Sequence, residues 1–443
     1  MYDFSRLAVI VLVLAAVFFV AGGLVPGATR LTWGFSAYYT GARLLAEGAD
    51  MSRLYDQAWF RAQVAAFGIT GPQTSDIWFV NPPTTTLLMA GLAGLTPPLA
   101  RLAWTGFNLL VLPAALLLLI RTLGVRPSLT EWMLLATMVL VFNPLHENFR
   151  WGQTYVLLLL LHVTFLYGYL EKRDLVAGLS LALMLTLKTY GAFLILFLLF
   201  RRRWRALLHT LGVAALVVLV SLPRLALPIW ETYLLDIVPS VRAYAGIGVT
   251  GYQTLSSFIE HVFSYDPLGS PRPLMDVPWL ATALVIGLSA FILVTTLRTC
   301  RQPGCRDRDF EALSIAAFTA ISVPLAPLAE EHHFTVLILP LVVLGAHLLR
   351  RGLRIQVLTT GLAGYGLLAA PLPFMHPRLT QGWWAFLAYP KLYGALLLWL
   401  ALLFHLRAYR QALAEPKQPP EILGEGEDRV DHSHSRFSLF LDK

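Results

Sequence analysis

The sequence predicts an all-α polytopic membrane protein, and three observations carry that prediction. Of 443 residues, 57% are hydrophobic and only 14% are charged, whereas a soluble domain carries about 25% charged residues. Runs such as "LAVIVLVLAAVFFVAGGLV" and "LLVLPAALLLLI" approach or reach the ~20 residues a helix needs to cross hydrocarbon. The basic residues gather in short loops: "RRRWR" at 201–205, "RTCRQPGCRDRD" at 298–309, "LRRGLR" at 349–354 and "HLRAYR" at 405–410. Loops of that kind face the cytoplasm. The net charge of +8 is therefore topological and does not mark a nucleic-acid partner.

The elements follow from these anchors. The N-terminus is cytoplasmic, and the first span covers 7–26. A single Arg6 precedes it, and its apolar run is too long for the core of a cleaved signal peptide. Residues 27–79 form a first outward loop, poor in Lys, with Glu47, Asp50, Asp56 and Asp76. Its stretch "TWGFSAYYTGARLLAEG" puts Ser36, Thr40, Arg43 and Glu47 on one stripe and Tyr38, Ala42 and Leu45 on another. That spacing predicts an amphipathic helix lying at an interface. A second such helix has Trp59, Phe60, Val64 and Phe67 on one face. Pro82 and Pro83 suit the first turn of the next span.

Further spans read at 83–97, 99–120, 130–144, 153–170, 174–200 and 206–226, then an outward loop at 227–277. Five more follow at 278–298, 311–326, 333–349, 354–372 and 384–406. The total is about twelve spans in a 1–412 transmembrane domain. Residues 413–443 read as a disordered cytoplasmic tail. One tension stands. Reading 174–200 as a single span leaves "EKRD" at 171–174 outside, against the positive-inside rule. Splitting it at "KTYG" breaks the parity unless a neighbouring segment is re-entrant. No internal repeat is visible, so an inverted-repeat transporter has no support.

Ionisable groups at membrane depth are costly, so each is a functional candidate. Lys188, in "LALMLTLKTYGAFLILF", needs an anionic partner, and a phosphate is apt. Snorkelling from a broken helix end is the alternative. In "PLAPLAEEHHF", Glu330, Glu331, His332 and His333 sit between two spans. Adjacent histidines on a helix diverge, so hydrogen bonding to a hydroxylated or phosphorylated ligand fits better than a metal. A plain solvated loop end fits as well. In "NPLHENFRWGQTY", His146, Glu147, Asn148, Arg150 and Gln153 suggest a polar-lined cavity or an ordinary inter-helix loop. "GYQTLSSF" adds Gln253. Cys300 and Cys305 share a basic loop. They read as reduced thiols, too few for a structural zinc site. There is no phosphate-binding Gly-rich loop, no Ser-His-Asp signature and no redox motif, and the glycines of "GLAGYG" at 361–366 suit helix packing.

Taken in order, several stretches resemble glycosyltransferase family 87, the polyprenol-phosphate-mannose-dependent mannosyltransferases of the GT-C fold. They are "FSAYYTGARLLAEG" with "LYD", "FVNPPTTTLLMAGLAGL", "NPLHENFRWGQTYVLLLLL", "LALMLTLKTYGAFLILFLLFRRRWR", "GYQTLSSFI" and "PLAEEHHFTVLILPLVVL". The resemblance covers about 30–410. It implies a multi-pass enzyme of the cell membrane with its site facing the extracytoplasmic side. It implies a polyprenyl-phosphate-linked sugar donor, a lipid-linked or cell-envelope glycan acceptor, contact with membrane lipids, and no cofactor. Tyr38, Tyr39 and Asn81 join Lys188, His332, His333, Arg150, Gln153 and Gln253 as implied substrate-binding residues. The family pattern has an Asp, taken as catalytic base, four residues before Tyr38, where this chain has Gly34. Base candidates elsewhere are Asp76, Glu330 and Glu331, with Asp56 behind them. The rival readings are a lipid-linked-sugar transporter or flippase, and a catalytically silent relative.

Overall fold

Within hydrocarbon, a chain must satisfy its backbone polar groups internally, and helices do so segment by segment. The computed structural model describes residues 2–70, 77–245, 249–301, 307–352 and 354–414. Its elements among those residues are helical. Helix α1 (Tyr2–Phe19) continues through a π turn, Val20–Leu24, into Val25–Thr29. Next come α2 (Trp33–Glu47) and α3 (Gln57–Ala66). Gly48 ends α2 at φ 71°, and the Asp56 carboxylate caps α3 by accepting from Trp59 N. After two 3-10 turns, Pro83–Leu87 and Ala90–Leu92, runs α4 (Pro97–Leu123). Helix α5 (Leu129–Leu140) starts on a Ser128/Glu131 capping box and meets α6 (Asn143–Trp151) at a 56° bend.

Helices α7 (Tyr155–Leu170), α8 (Asp174–Lys188), α9 (Ala192–Phe200) and α10 (Trp204–Ser221) follow. A helical run from Leu227 to Ala245 leads to α11 (Leu255–Phe263), α12 (Pro278–Thr299) and α13 (Arg308–Ser322). A 3-10 turn, Glu331–Leu337, opens α14 (Ile338–Arg351). Helices α15 (Ile355–Ala369) and α16 (Pro390–Ala414) complete the order. Among the described residues, six segments are long and apolar enough to cross a membrane alone, and the bent α5–α6 pair makes up to seven. The outer faces carry exposed Leu14, Leu110, Leu216 and Ile286. With no polar layer covering them, these side chains meet lipid. The protein is an all-α, multi-pass membrane protein.

Ion pairs and caps define two ends. At the basic end, Arg203 meets Asp174 at 2.6 Å, Arg308 meets Glu171 at 2.7 Å and Arg350 meets Asp309 at 3.1 Å. Arg308 and Arg350 also donate to the carbonyls of Thr122 and Leu123, at the close of α4. Asp174 opens α8 and Arg203 follows α9, so the chain leaves the basic end along α8 and returns along α9.

Two expected spans are corrected here. Segment 174–200 is two legs that turn at "KTYG", and 83–97 is short 3-10 turns rather than a span. The changes offset each other in parity, and "EKRD" joins the other basic loops. Helix α2 also differs from an interfacial helix. Both of its stripes are covered over the first half, with Ser36, Tyr38, Tyr39 and Thr40 all buried, while Arg43 and Glu47 pair at the surface.

Candidate active site

Helix ends leave backbone carbonyls without partners, and at the end of α8 the chain supplies one for each. Tyr190 N and Thr189 N donate to the carbonyls of Met184 and Leu185. The hydroxyls of Thr84 and Thr85 take those of Thr186 and Leu187. Thr189 Oγ1 takes that of Lys188, and Thr189 adopts φ 51° to make the turn. Pro82 and Pro83 thus precede threonines that fasten the α8 end, and Lys188 is fixed at the end opposite the basic loops.

The half-buried Lys188 donates from Nζ to Tyr38 Oη and to Asn81 Oδ1, each at 2.8 Å. The ammonium also lies 5.3 Å from the Tyr38 ring centre and 5.7 Å from that of Tyr155. Among the described residues no carboxylate lies within 4.0 Å of it. An ammonium has three N–H donors, so one remains for an anion.

Tyr38 Oη in turn donates to Gln153 Oε1 at 2.8 Å. Gln153 is placed by the close of α6. Gly152 caps that helix at φ 65°, and its carbonyl accepts from Trp104 Nε1. The buried Arg101 guanidinium donates to the carbonyls of Phe149 and Arg150. Asn148 Oδ1 accepts from Tyr155 N at the start of α7.

A third wall comes from the turn before α14. The His333 ring lies 4.3 Å and the His332 ring 5.1 Å, centre to centre, from that of Tyr155. Trp33 lies 6.2 Å from His332 and 5.3 Å from Trp151. Glu330 Oε2 sits 3.6 Å from His332 Nδ1, and Glu330 N donates to His333 Nδ1. Burial raises the Glu330 carboxyl to about 7, with Lys188 pulling the other way and Glu147 adding to the rise.

Lys188, Tyr38, Asn81, Gln153, His332, His333 and Glu330 therefore come together from five separate stretches. The other expected residues lie around them. Glu331 is engaged by Lys391 at 2.8 Å and by Asn143 Nδ2 at 2.7 Å. Arg150 pairs with Glu147 at 2.6 Å and donates to Gly22 O. Tyr39 Oη donates to Leu95 O rather than into the Lys188 cluster. Gln253 is fully buried, with its amide donating to the carbonyls of Thr250 and Ala388. Asp76 lies outside the described residues, as does Cys305. Asp56 is an exposed helix cap.

Position 34 is closed. A Cβ on Gly34 would stand 2.5 Å from Gln153 Nε2 and 2.5 Å from Trp151 O. Separately, a cavity of about 330 Å³ lined by Leu135, Phe142, Leu341 and Tyr365 is apolar and shares no lining residue with this site.

Sequence reasoning missed three parts: Arg101, Lys391 and the Thr84/Thr85 pair. Arg101 and Lys391 carried the same signal as Lys188, an ionisable residue inside an expected span. Both prove to be braces. Lys391 is fully buried and donates to the carbonyls of Leu368 and Ala370 as well as to Glu331.

A cluster of groups able to hydrogen-bond sugar hydroxyls or phosphate stands at one end of the helical membrane domain. The sequence model of glycosyltransferase family 87 matches residues 79–329, more than half the chain, and the chain belongs to that family. It is 28% identical over 338 residues to a polyprenol-phosphate-mannose-dependent alpha-(1-2)-phosphatidylinositol mannoside mannosyltransferase of Mycolicibacterium smegmatis, covering 72% of this chain and 73% of the relative. No solved structure matches the chain significantly. The protein is a membrane glycosyltransferase.

Proposed function

We propose that the enzyme takes mannose from a polyprenyl-phosphate donor and adds it to a lipid-linked or cell-envelope glycan, at the extracytoplasmic face of the membrane. One observation carries this reading. Lys188 stands at the end of a membrane leg, held by two neutral oxygens, with a donor to spare. A polyprenyl phosphate keeps its tail in hydrocarbon and presents its phosphate at that depth. Cations beside a phosphate leaving group stabilise the charge that builds on it. The rings of Tyr38 and Tyr155 border the Lys188 ammonium. Asn81, Gln153, His332 and His333 supply hydrogen bonds to hydroxyls or phosphate, with Arg150 at the rim. The named activity of the mycobacterial relative supports the donor class. The positive-inside rule supports the orientation, because the site is opposite the basic loops.

The test is incubation of purified protein with radiolabelled polyprenyl-phosphate-mannose and membrane lipids. A labelled glycolipid or glycan is expected. Absence of product with any polyprenyl-phosphate hexose would overturn the reading.

A further inference from the structure

Resting on that reading, we propose that Glu330, on the turn before α14, is the proton acceptor of the transfer reaction. The position on α2 where the family pattern has its base offers no room for one, since Gln153 and Trp151 occupy the space beside Gly34. The proton of the acceptor hydroxyl must still go somewhere in a direct displacement.

The carboxylates around the cluster are not equivalent. Glu331 is held by Lys391 and Asn143. Glu147 is held by Arg150 and by Trp151 Nε1. Among the described residues, no Lys or Arg lies within ion-pair reach of Glu330. Its side chain is mostly buried, with 28% of it left exposed. It also faces the right groups. His332 connects it to Trp33, the neighbour of Gly34, and His332 and His333 both stack near Tyr155, which borders Lys188.

The step balances. The acceptor oxygen forms a bond to the anomeric carbon, and the bond from that carbon to the phosphate oxygen breaks. The electron pair leaves with the phosphate monoester beside Lys188. The hydroxyl proton passes to the Glu330 carboxylate, and from there to the departing phosphate or to water.

Protonated Glu330 cannot act, so turnover climbs as pH rises through about 7, where burial holds this carboxyl. The groups facing it are Lys188, Glu147, Tyr155, His332 and His333. The experiment measures donor binding, turnover and the pH profile of turnover for wild type, Glu330→Gln, Glu330→Asp and Asp76→Asn, using radiolabelled polyprenyl-phosphate-mannose. Glu330→Gln should bind donor as wild type does and lose about 10²–10⁴-fold in turnover, without the limb near pH 7. Glu330→Asp should keep part of the turnover and retain a limb at a shifted pH. Full turnover in Glu330→Gln, or a comparable loss found only in Asp76→Asn, overturns the proposal while leaving the donor reading intact. A wild type that binds no donor and transfers no sugar overturns both.

Discussion

Gly34 is read most sharply at the scale of single residues. The sequence marks it as the place where an expected Asp is absent. The structure shows what a restored side chain would meet: Gln153 and the Trp151 carbonyl stand 2.5 Å from where its Cβ would lie. Gly34→Asp and Gly34→Ala should each destabilise the protein by about 1–3 kcal/mol through overpacking. They should also lower turnover, because Gln153 holds Tyr38 and Tyr38 holds Lys188. Thermal unfolding in detergent measures the first effect and sugar transfer the second. A Gly34→Asp protein with raised activity and unchanged stability would contradict this account. Lys188 was legible because an ammonium in an apolar run demands a partner. The neutral identity of its partners was not legible, because Tyr38 and Asn81 reach it from 150 and 107 residues away in sequence.

At the scale of elements, the informative piece is the end of α8. Hydropathy reads 174–200 as one long run, since a turn made by Thr189, Tyr190 and Gly191 barely interrupts it. What makes the turn is non-local: the threonines of "PPTTT" cap carbonyls that α8 leaves open. The same threonines sit in the first of the 3-10 turns that replace the expected span at 83–97. Replacing both Thr84 and Thr85 by Val removes two hydrogen bonds, each with a net value of about 0.5–1.5 kcal/mol. The double variant should unfold at lower temperature and bind donor more weakly, since Lys188 loses its fixed position. Wild-type melting and donor affinity in that variant would show that the caps do not position the lysine. Arg101 and Lys391 teach the complementary lesson. Membrane-depth charge flags a residue, but only geometry separates a bracing role from a binding one.

At the scale of the whole molecule, the arrangement of the two ends was mostly legible. Basic loops separate the ends in the sequence as salt bridges do in the structure. The exception was "EKRD", whose side depends on α8 and α9 being two legs. Single-cysteine labelling of intact cells, in a background lacking Cys300 and Cys305, checks this. Asp50→Cys and Leu268→Cys should label from outside, and Lys172→Cys and Arg202→Cys should not. Labelling at 172 without labelling at 202 would restore the single-span reading. The buried α2 and the convergence of five stretches on Lys188 were beyond sequence periodicity, which reports a face but not what covers it. The central claim is that this convergence binds a lipid-linked phosphate. Titration of polyprenyl-phosphate-mannose against purified wild type and Lys188→Met tests it most directly. Removing one partner of a buried charged pair costs about 2–5 kcal/mol, so the Met variant should bind roughly 30-fold to several thousand-fold more weakly. Equal affinity in the two proteins would contradict the account.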